Sequence, residues 1–329
     1  MKKLLVLLLI LFLAGCTNNA EVNNKTEDIK PFELNDYSTE KLVINNQEFE
    51  IIPYFNEYTD YVNTEYKNRE ETIESYRKTV LTPLARLLVY STNELENDFH
   101  FTRPENMEKQ KKVLMEINNQ YPNIRTQIQE ALENATSRLE GEEKIKIYIL
   151  PFPDDQYSSQ YMRGVGGLAM GASRNILMFV DPFNYTNESL KAITVHEYHH
   201  TALLMNKSFK VINWALLDSV LIEGKAELFT KIIYPSYEPL YLDRLSPEFE
   251  PNIWNYIKEK SKTSYNPNDL TPLFYGDFSL RFPTHSNYKM GYKILEELLK
   301  KYPEMDVSTW TYMDAIEIVE DLNVDSWYE

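Results

Sequence analysis

With 329 residues, 43% of them hydrophobic and 13% aromatic, the chain can bury a sizeable core, which excludes wholesale disorder and allows one large domain or two ordinary ones. A net charge of −16 with no long basic run sets its surface against nucleic acid and anionic lipid headgroups. The single cysteine, Cys16, excludes internal disulfides, a catalytic thiol and a Cys-ligated zinc.

Lys2 and Lys3 precede an apolar run, Leu4 to Leu13, followed by Ala14 and Gly15, the layout of a secretory signal over residues 1–15. The run is short of the roughly 20 residues a transmembrane helix needs. Leu13-Ala14-Gly15-Cys16 looks like a bacterial lipobox, in which Cys16 is lipidated, carrying palmitate, and becomes the mature N-terminus. That arrangement predicts a chain on the cell membrane, facing outside the cytoplasm, with the lipid as its only membrane contact. Residues 16–40 are polar and acidic and read as a flexible tether, whose reach as a coil of about 20 residues is on the order of 25 Å.

A second region, 41–143, opens with Leu42-Val43-Ile44 and Phe49-Glu50-Ile51-Ile52 around Asn45-Asn46-Gln47, a β-hairpin pattern. A helix is predicted from about Glu65, ended or kinked at Pro83 and resuming through Leu84, Leu87 and Leu88. Two amphipathic helices are expected over about 104–119 and 124–139, with solvated charged faces.

The region 144–329 holds the chemistry. Lys144 to Leu150 alternates as a half-buried strand with Ile145, Ile147 and Ile149 on one face. Gly164, Gly166, Gly167 and Gly171 follow as a loop; no P-loop lysine-threonine pair or dinucleotide spacing accompanies them, so nucleotide binding is set aside and close backbone approach is expected. Asn175 to Val180 is a second strand, apolar on both faces. Helices are predicted from Asn187 to about Met205, from Asn213 to Tyr234, near Ile253 to Lys260, from Ser286 to Lys301 and over about Met313 to Leu322. The elements together are α+β, mostly helical, with a small sheet beside the histidine-bearing helix.

That helix carries His196-Glu197-Tyr198-His199-His200, three of the five histidines of the chain. Positions i and i+4 share a helix face about 5–6 Å apart, so His196 and His200 can grip one zinc ion while Glu197 reaches a water on it. Hydrolytic zinc takes three protein ligands and leaves a position for water. Glu223 leads for the third, and Glu227, one turn on, shares its face. One carboxylate can bind metal while the other accepts a hydrogen bond from a ligand imidazole, fixing its tautomer. Gly224, costing about 1 kcal/mol in a helix relative to alanine, points to close approach of this helix to the His196 helix. Glu197 would move the water proton to the leaving amine. The oxyanion needs a donor, for which Tyr288, His285 and Tyr292 are candidates. Periodicity makes the two tyrosines core residues and leaves His285 free to be an idle loop histidine. His199 reads as a supporting or surface residue.

His196-Glu197-Tyr198-His199-His200, with Leu216-Leu217-Asp218 and Glu223-Gly224-Lys225-Ala226-Glu227, resembles the YjaZ-like predicted zinc proteases, which belong with the gluzincins. The likeness covers roughly Lys144 to Lys301. It implies a zincin-like fold, one zinc ion held by His196, His200 and Glu223, Glu197 as general base, Glu227 supporting a ligand, Tyr288 ahead of His285 and Tyr292 as oxyanion donor, and Ile176 to Val180 as the strand edge that receives extended substrate. Lys225 departs from the small or apolar residue expected there. The partner implied is a peptide or protein substrate. Two other readings compete: a protease-fold lipoprotein that binds peptides or a protein without cutting them, which would have no need of Glu197, and a zinc scavenger, which would usually show His-rich loops.

Overall fold

The computed structural model describes residues 33–64, 66–97, 99, 101–141, 144–152, 156–170, 173–206 and 214–328. The signal-like segment, Cys16 and Gly171 lie outside the described residues.

The hairpin forms as expected: β1 (Glu40–Ile44) and β2 (Gln47–Pro53) are antiparallel, joined through Asn45 and Asn46 at φ 47° and 67°. Two consecutive left-handed residues make the turn that matches the strands' own twist, and asparagine tolerates that backbone better than most residues. β3 (Ile145–Pro151), β4 (Val165–Met170) and β5 (Asn175–Val180) complete a mixed sheet of order β1-β2-β3-β5-β4, with β2, β3 and β5 parallel and β4 antiparallel to β5.

This topology corrects three expectations. β3 is covered on both faces, with Tyr148 and Leu150 as buried as the isoleucines, because a central parallel strand has helices on either side. Gly166 and Gly167 of the glycine-rich segment lie in strand β4 rather than in a loop, with Gly164 in the turn that leads into it. β5 pairs on both sides, so Ile176 to Val180 has no free edge; among the described residues β4 is the outer strand.

Helices α1 (Asn56–Asn63) and α2 (Arg69–Tyr76) lead through a π-helical turn, Arg77–Leu81, into α3 (Thr82–Leu88). Pro83 does not end this run: the helix departs from the regular pattern in the π-helical turn just before the proline and continues through it into α3. After α4 (Thr92–Asn97), the two helices expected around Pro122 are one, α5 (Met107–Thr136), 30 residues long. An interior proline costs about 3 kcal/mol, but Leu114, Ile117, Tyr121, Ile124, Ile128 and Leu132 are all buried along one stripe. At roughly 1.5–3 kcal/mol per buried large side chain, the stripe outweighs the proline. Asn118 on α5 and Asn35 exchange two hydrogen bonds, of 3.1 and 3.0 Å, which hold the chain against α5 before β1 begins.

α6 (Gln156–Tyr161) precedes β4. α7 (Asn187–Met205) lies against β4 and β5 and packs on α5 and α8 (Leu216–Ile233). A 3₁₀ turn at Leu240–Leu242 leads to α9 (Glu250–Lys260), α10 (Pro267–Tyr275), α11 (Ser286–Lys301), α12 (Val307–Tyr312) and α13 (Ala315–Asp321). α10 escapes sequence reading because Pro267 and Pro272 mask its periodicity. The mostly helical α+β class is borne out. No described helix is long and apolar enough to cross a membrane.

Candidate active site

α7 begins at Asn187 as expected, with Thr186 as its N-cap. Thr186 Oγ1 accepts from Ser189 N at 3.0 Å and Ser189 Oγ accepts from Thr186 N at 3.0 Å, a reciprocal capping box. From Ser189 to Leu203 α7 is buried almost all round, and α8 likewise from Ser219 to Thr230. Helices buried on every side must satisfy their polar side chains internally. The residues that do so here are those of the motif.

His196 Nε2, His200 Nε2 and Glu223 Oε2 converge: 2.9 Å between the two nitrogens, 3.4 and 3.2 Å from them to the carboxylate oxygen. The three side chains are 5%, 2% and 1% exposed, and Glu223 Oε2 has no hydrogen-bond partner. Three lone-pair atoms so close in a dry interior repel unless a cation or a shared proton lies among them. Ligand atoms held 2.0–2.2 Å from zinc in a tetrahedron lie about 3.3–3.6 Å from one another; the two distances to the carboxylate oxygen are close to this, the nitrogen pair is about 0.4 Å tighter, and the two-imidazole, one-carboxylate set is one that zinc takes. The residues therefore fit the ion.

The charges interlock. Burial alone would raise the Glu223 carboxyl, but the His200 and His196 imidazoles bring it down to about 2. Burial pulls His196 down, yet Glu227 and Glu223 together hold it well above the usual histidine range. Burial pushes the Glu197 carboxyl up, against the pull of both imidazoles. Glu227 Oε1 lies 3.2 Å from His196 Nδ1 and accepts from Tyr241 OH at 2.9 Å. Glu227 is thus on the back of His196, where an orienting carboxylate belongs.

Glu197 occupies a notch in the sheet. A Cβ on Gly167 of β4 would lie 2.4 Å from Glu197 Cγ, and the Ala169 backbone N–H bonds the carboxylate. The close approach expected of the glycines is therefore to Glu197, at Gly167. Gly224 also makes a close approach, but not to α7. Its missing Cβ would be 2.2 Å from the Gly291 carbonyl carbon on α11, and a Cβ on Gly291 would be 2.2 Å from Val220 O. The glycine pair seats α11 against α8 and brings Tyr288, one turn before Gly291, over the three converging atoms.

Tyr288 and His285 both line the cavity in front of those atoms, whereas Tyr292 does not. Tyr288 is 6% exposed with its ring 6.3 Å from that of His196; burial, then the charges of Glu223, Glu227 and Glu197, hold its phenol well above its usual value, so it stays protonated. His285 is no idle loop residue. It caps α11 in the left-handed conformation (φ 58°), its Nδ1 lies 3.2 Å from Tyr161 OH, and its Nε2 is buried without a partner. Burial, then the Lys289 charge, lowers it to about 4, so it is neutral at pH 7. The cavity, about 30 Å³, has room for one water. Met162, Leu168 and Tyr241 close its sides. Tyr241 lies in a proline-punctuated acidic stretch with no periodic pattern, so no sequence signal pointed to it.

His199 is buried rather than at the surface, and it faces away from the three converging atoms. Its Nε2 is 3.2 Å from Thr311 Oγ1 and its ring stacks on Trp310. Burial, then His200 and Lys225, hold it well below the usual histidine range. Lys225 is also buried, at 2% exposure, and burial lowers it to about 8.

No curated protein and no solved structure gives a significant match to the chain. Residues 124–320 do match the family described as "Predicted Zn-dependent protease (DUF2268)", a span that contains α7, α8, α11 and every converging side chain above. With more than half of its length matched, the chain belongs to this family of predicted zinc-dependent proteases.

Proposed function

We propose that the chain is a YjaZ-like zinc metallopeptidase of the gluzincin type that hydrolyses peptide bonds in a peptide or protein substrate. The observation that carries this reading is the convergence of His196 Nε2, His200 Nε2 and Glu223 Oε2 within 3.4 Å of one another, beside a buried glutamate that ligates nothing. His196, His200 and Glu223 would hold one zinc ion, and Glu227 would fix the tautomer of His196. Bound zinc would acidify a water to a pKa of about 7 and polarise the scissile carbonyl. Glu197, raised by burial and fixed in the Gly167 notch, takes the water proton and returns it to the leaving amine. Tyr288 stays neutral and donates to the oxygen on which charge develops. Substrate would extend along the free edge of β4, whose Gly167 and Leu168 line the cavity, adding one antiparallel or parallel strand. A pure peptide binder would not need a shielded general base, so Glu197 speaks against that reading.

Purified protein should carry about one zinc per chain. Glu197→Gln should keep the metal and lose at least about 100-fold in peptidase activity, while His196→Ala loses both. Full activity in Glu197→Gln would falsify the mechanism. The lipobox-like run ending at Cys16 supports anchoring on the outer face of the cytoplasmic membrane, while the net charge of −16 speaks against a nucleic-acid partner and the glycine spacing against a nucleotide. Cys16→Ala should shift the protein from the membrane fraction to the soluble one and abolish fatty-acid labelling. Unchanged fractionation and labelling would rule out the anchor.

A further inference from the structure

Lys225 is buried where the mechanism has no use for a cation, and a buried ammonium is costly unless its donors are satisfied. Its Nζ donates to Thr311 O at 3.0 Å and to Met313 O at 2.6 Å, the carbonyls at the C-terminal end of α12. Thr311 is itself fully buried, and its hydroxyl shares a 3.2 Å hydrogen bond with His199 Nε2. One residue is therefore bonded to both motif helices. Its side chain reaches α7 at the residue next to His200, and its backbone reaches α8 two residues beyond Glu223. Trp310, also fully buried, stacks on the His199 ring at 5.8 Å.

We propose that Thr311, gripped by His199 from α7 and by Lys225 from α8, is a strut behind the metal site that sets the separation of His200 from Glu223 and thereby the affinity for zinc. The inference rests on the zinc-site reading above and adds to it a positioning role for a C-terminal segment that touches neither metal nor substrate. Its physical basis is tolerance. A metal site accepts only about 0.2 Å of error in ligand distance, while helices that meet through apolar side chains alone can slide by more than that at little energetic cost. Two directional hydrogen bonds to a single residue remove that slack. They also account for a lysine at a position where a small or apolar side chain would otherwise suffice, since only a long side chain with several donors reaches two carbonyls at once.

The test is zinc affinity of the full-length protein, stripped with a chelator and titrated with zinc against a competing indicator, well below the melting temperature. Thr311→Val keeps the shape and deletes the hydroxyl; Lys225→Met keeps the length and deletes the donors. Each should weaken zinc binding by about 10- to 100-fold, as loss of an outer support typically does. Thr311→Ser, which restores the hydroxyl, should stay within about threefold of wild type, as should Leu84→Ala, which thins the core in α3 and lowers stability without touching the strut. Wild-type affinity in both Thr311→Val and Lys225→Met overturns the strut while leaving the zinc site intact, and so does an equal loss in Leu84→Ala. If Lys225→Met does not fold, Thr311→Val against Thr311→Ser decides alone. A wild-type protein that takes up no zinc overturns both readings.

Discussion

Glu197 shows how much of this site depends on a side chain that is missing. The carboxylate can lie against the sheet only because residue 167 has no Cβ, and the Ala169 N–H then fixes its direction. Gly167→Ala would place a methyl 2.4 Å from Glu197 Cγ and force the carboxylate away from its place. Displacement of a catalytic group by about 1 Å typically costs about 100-fold in rate. The variant is expected to bind zinc normally and to lose about 10- to 100-fold in kcat/KM, measured on one peptide at matched zinc content. Retention of wild-type kcat/KM would show that the notch does not position the base. From sequence, the histidine pair and Glu197 were legible because i, i+4 geometry is local. The notch was not, since a glycine records nothing about which distant side chain replaces its own.

Between elements, the contact that matters is the crossing of α8 and α11. Alanine is favoured over glycine inside a helix by about 1 kcal/mol, so Gly224→Ala would be stabilising if α8 stood alone. Here the new Cβ meets the Gly291 backbone at 2.2 Å, where no rotamer change can relieve it, and overpacking of a rigid contact costs about 3 kcal/mol or more. The clash wins by about 2 kcal/mol, which in a fold of this size corresponds to a melting temperature about 3 °C lower. A thermal melt checks this; an unchanged or raised midpoint would mean that the helices are not in backbone contact. The same crossing brings Tyr288 to the cavity, so a residue that periodicity assigns to the core is in the core and at the site together. Gly224 was recognisable in sequence as a close approach, but its partner was not. α8 is buried on all sides, and a helix without a polar face gives no indication of which neighbour lies where.

For the whole molecule, the buried cluster links folding to metal. An ion that binds only the folded state at 100 times its dissociation constant adds about 2.7 kcal/mol, or roughly 4 °C in melting temperature for a chain of this length. Zinc added to stripped protein should produce that rise, chelator should reverse it, and His196→Ala should show no zinc response. A melting temperature indifferent to zinc would remove the metal site as a structural element. The interior is otherwise continuous: the hairpin that opens the chain pairs with β3 of the later region, and a buried Tyr198 OH on α7 lies 2.9 Å from Gln47 Oε1 and 2.8 Å from Leu139 O, two acceptors that share its single proton. The helix that carries the histidines is thus tied to both the hairpin and the end of α5.

What the sequence determined by itself is whatever depends on near neighbours along the chain: the Asn45-Asn46 turn, the span of α11, and the placing of His196, His200 and Glu197 on one helix. It also supplied the composition of the donor set, because zinc chemistry admits few residue types. Only the tertiary structure decided that Gly166 and Gly167 belong to an edge strand, that β5 is interior, that Pro122 is absorbed within one long helix, and that Lys225 and His199 turn away from the cluster toward Thr311. Each of these depends on which distant surfaces meet. That outcome is set by the summed burial of many side chains, and local propensity, worth about 1 kcal/mol per residue, is too small to oppose it.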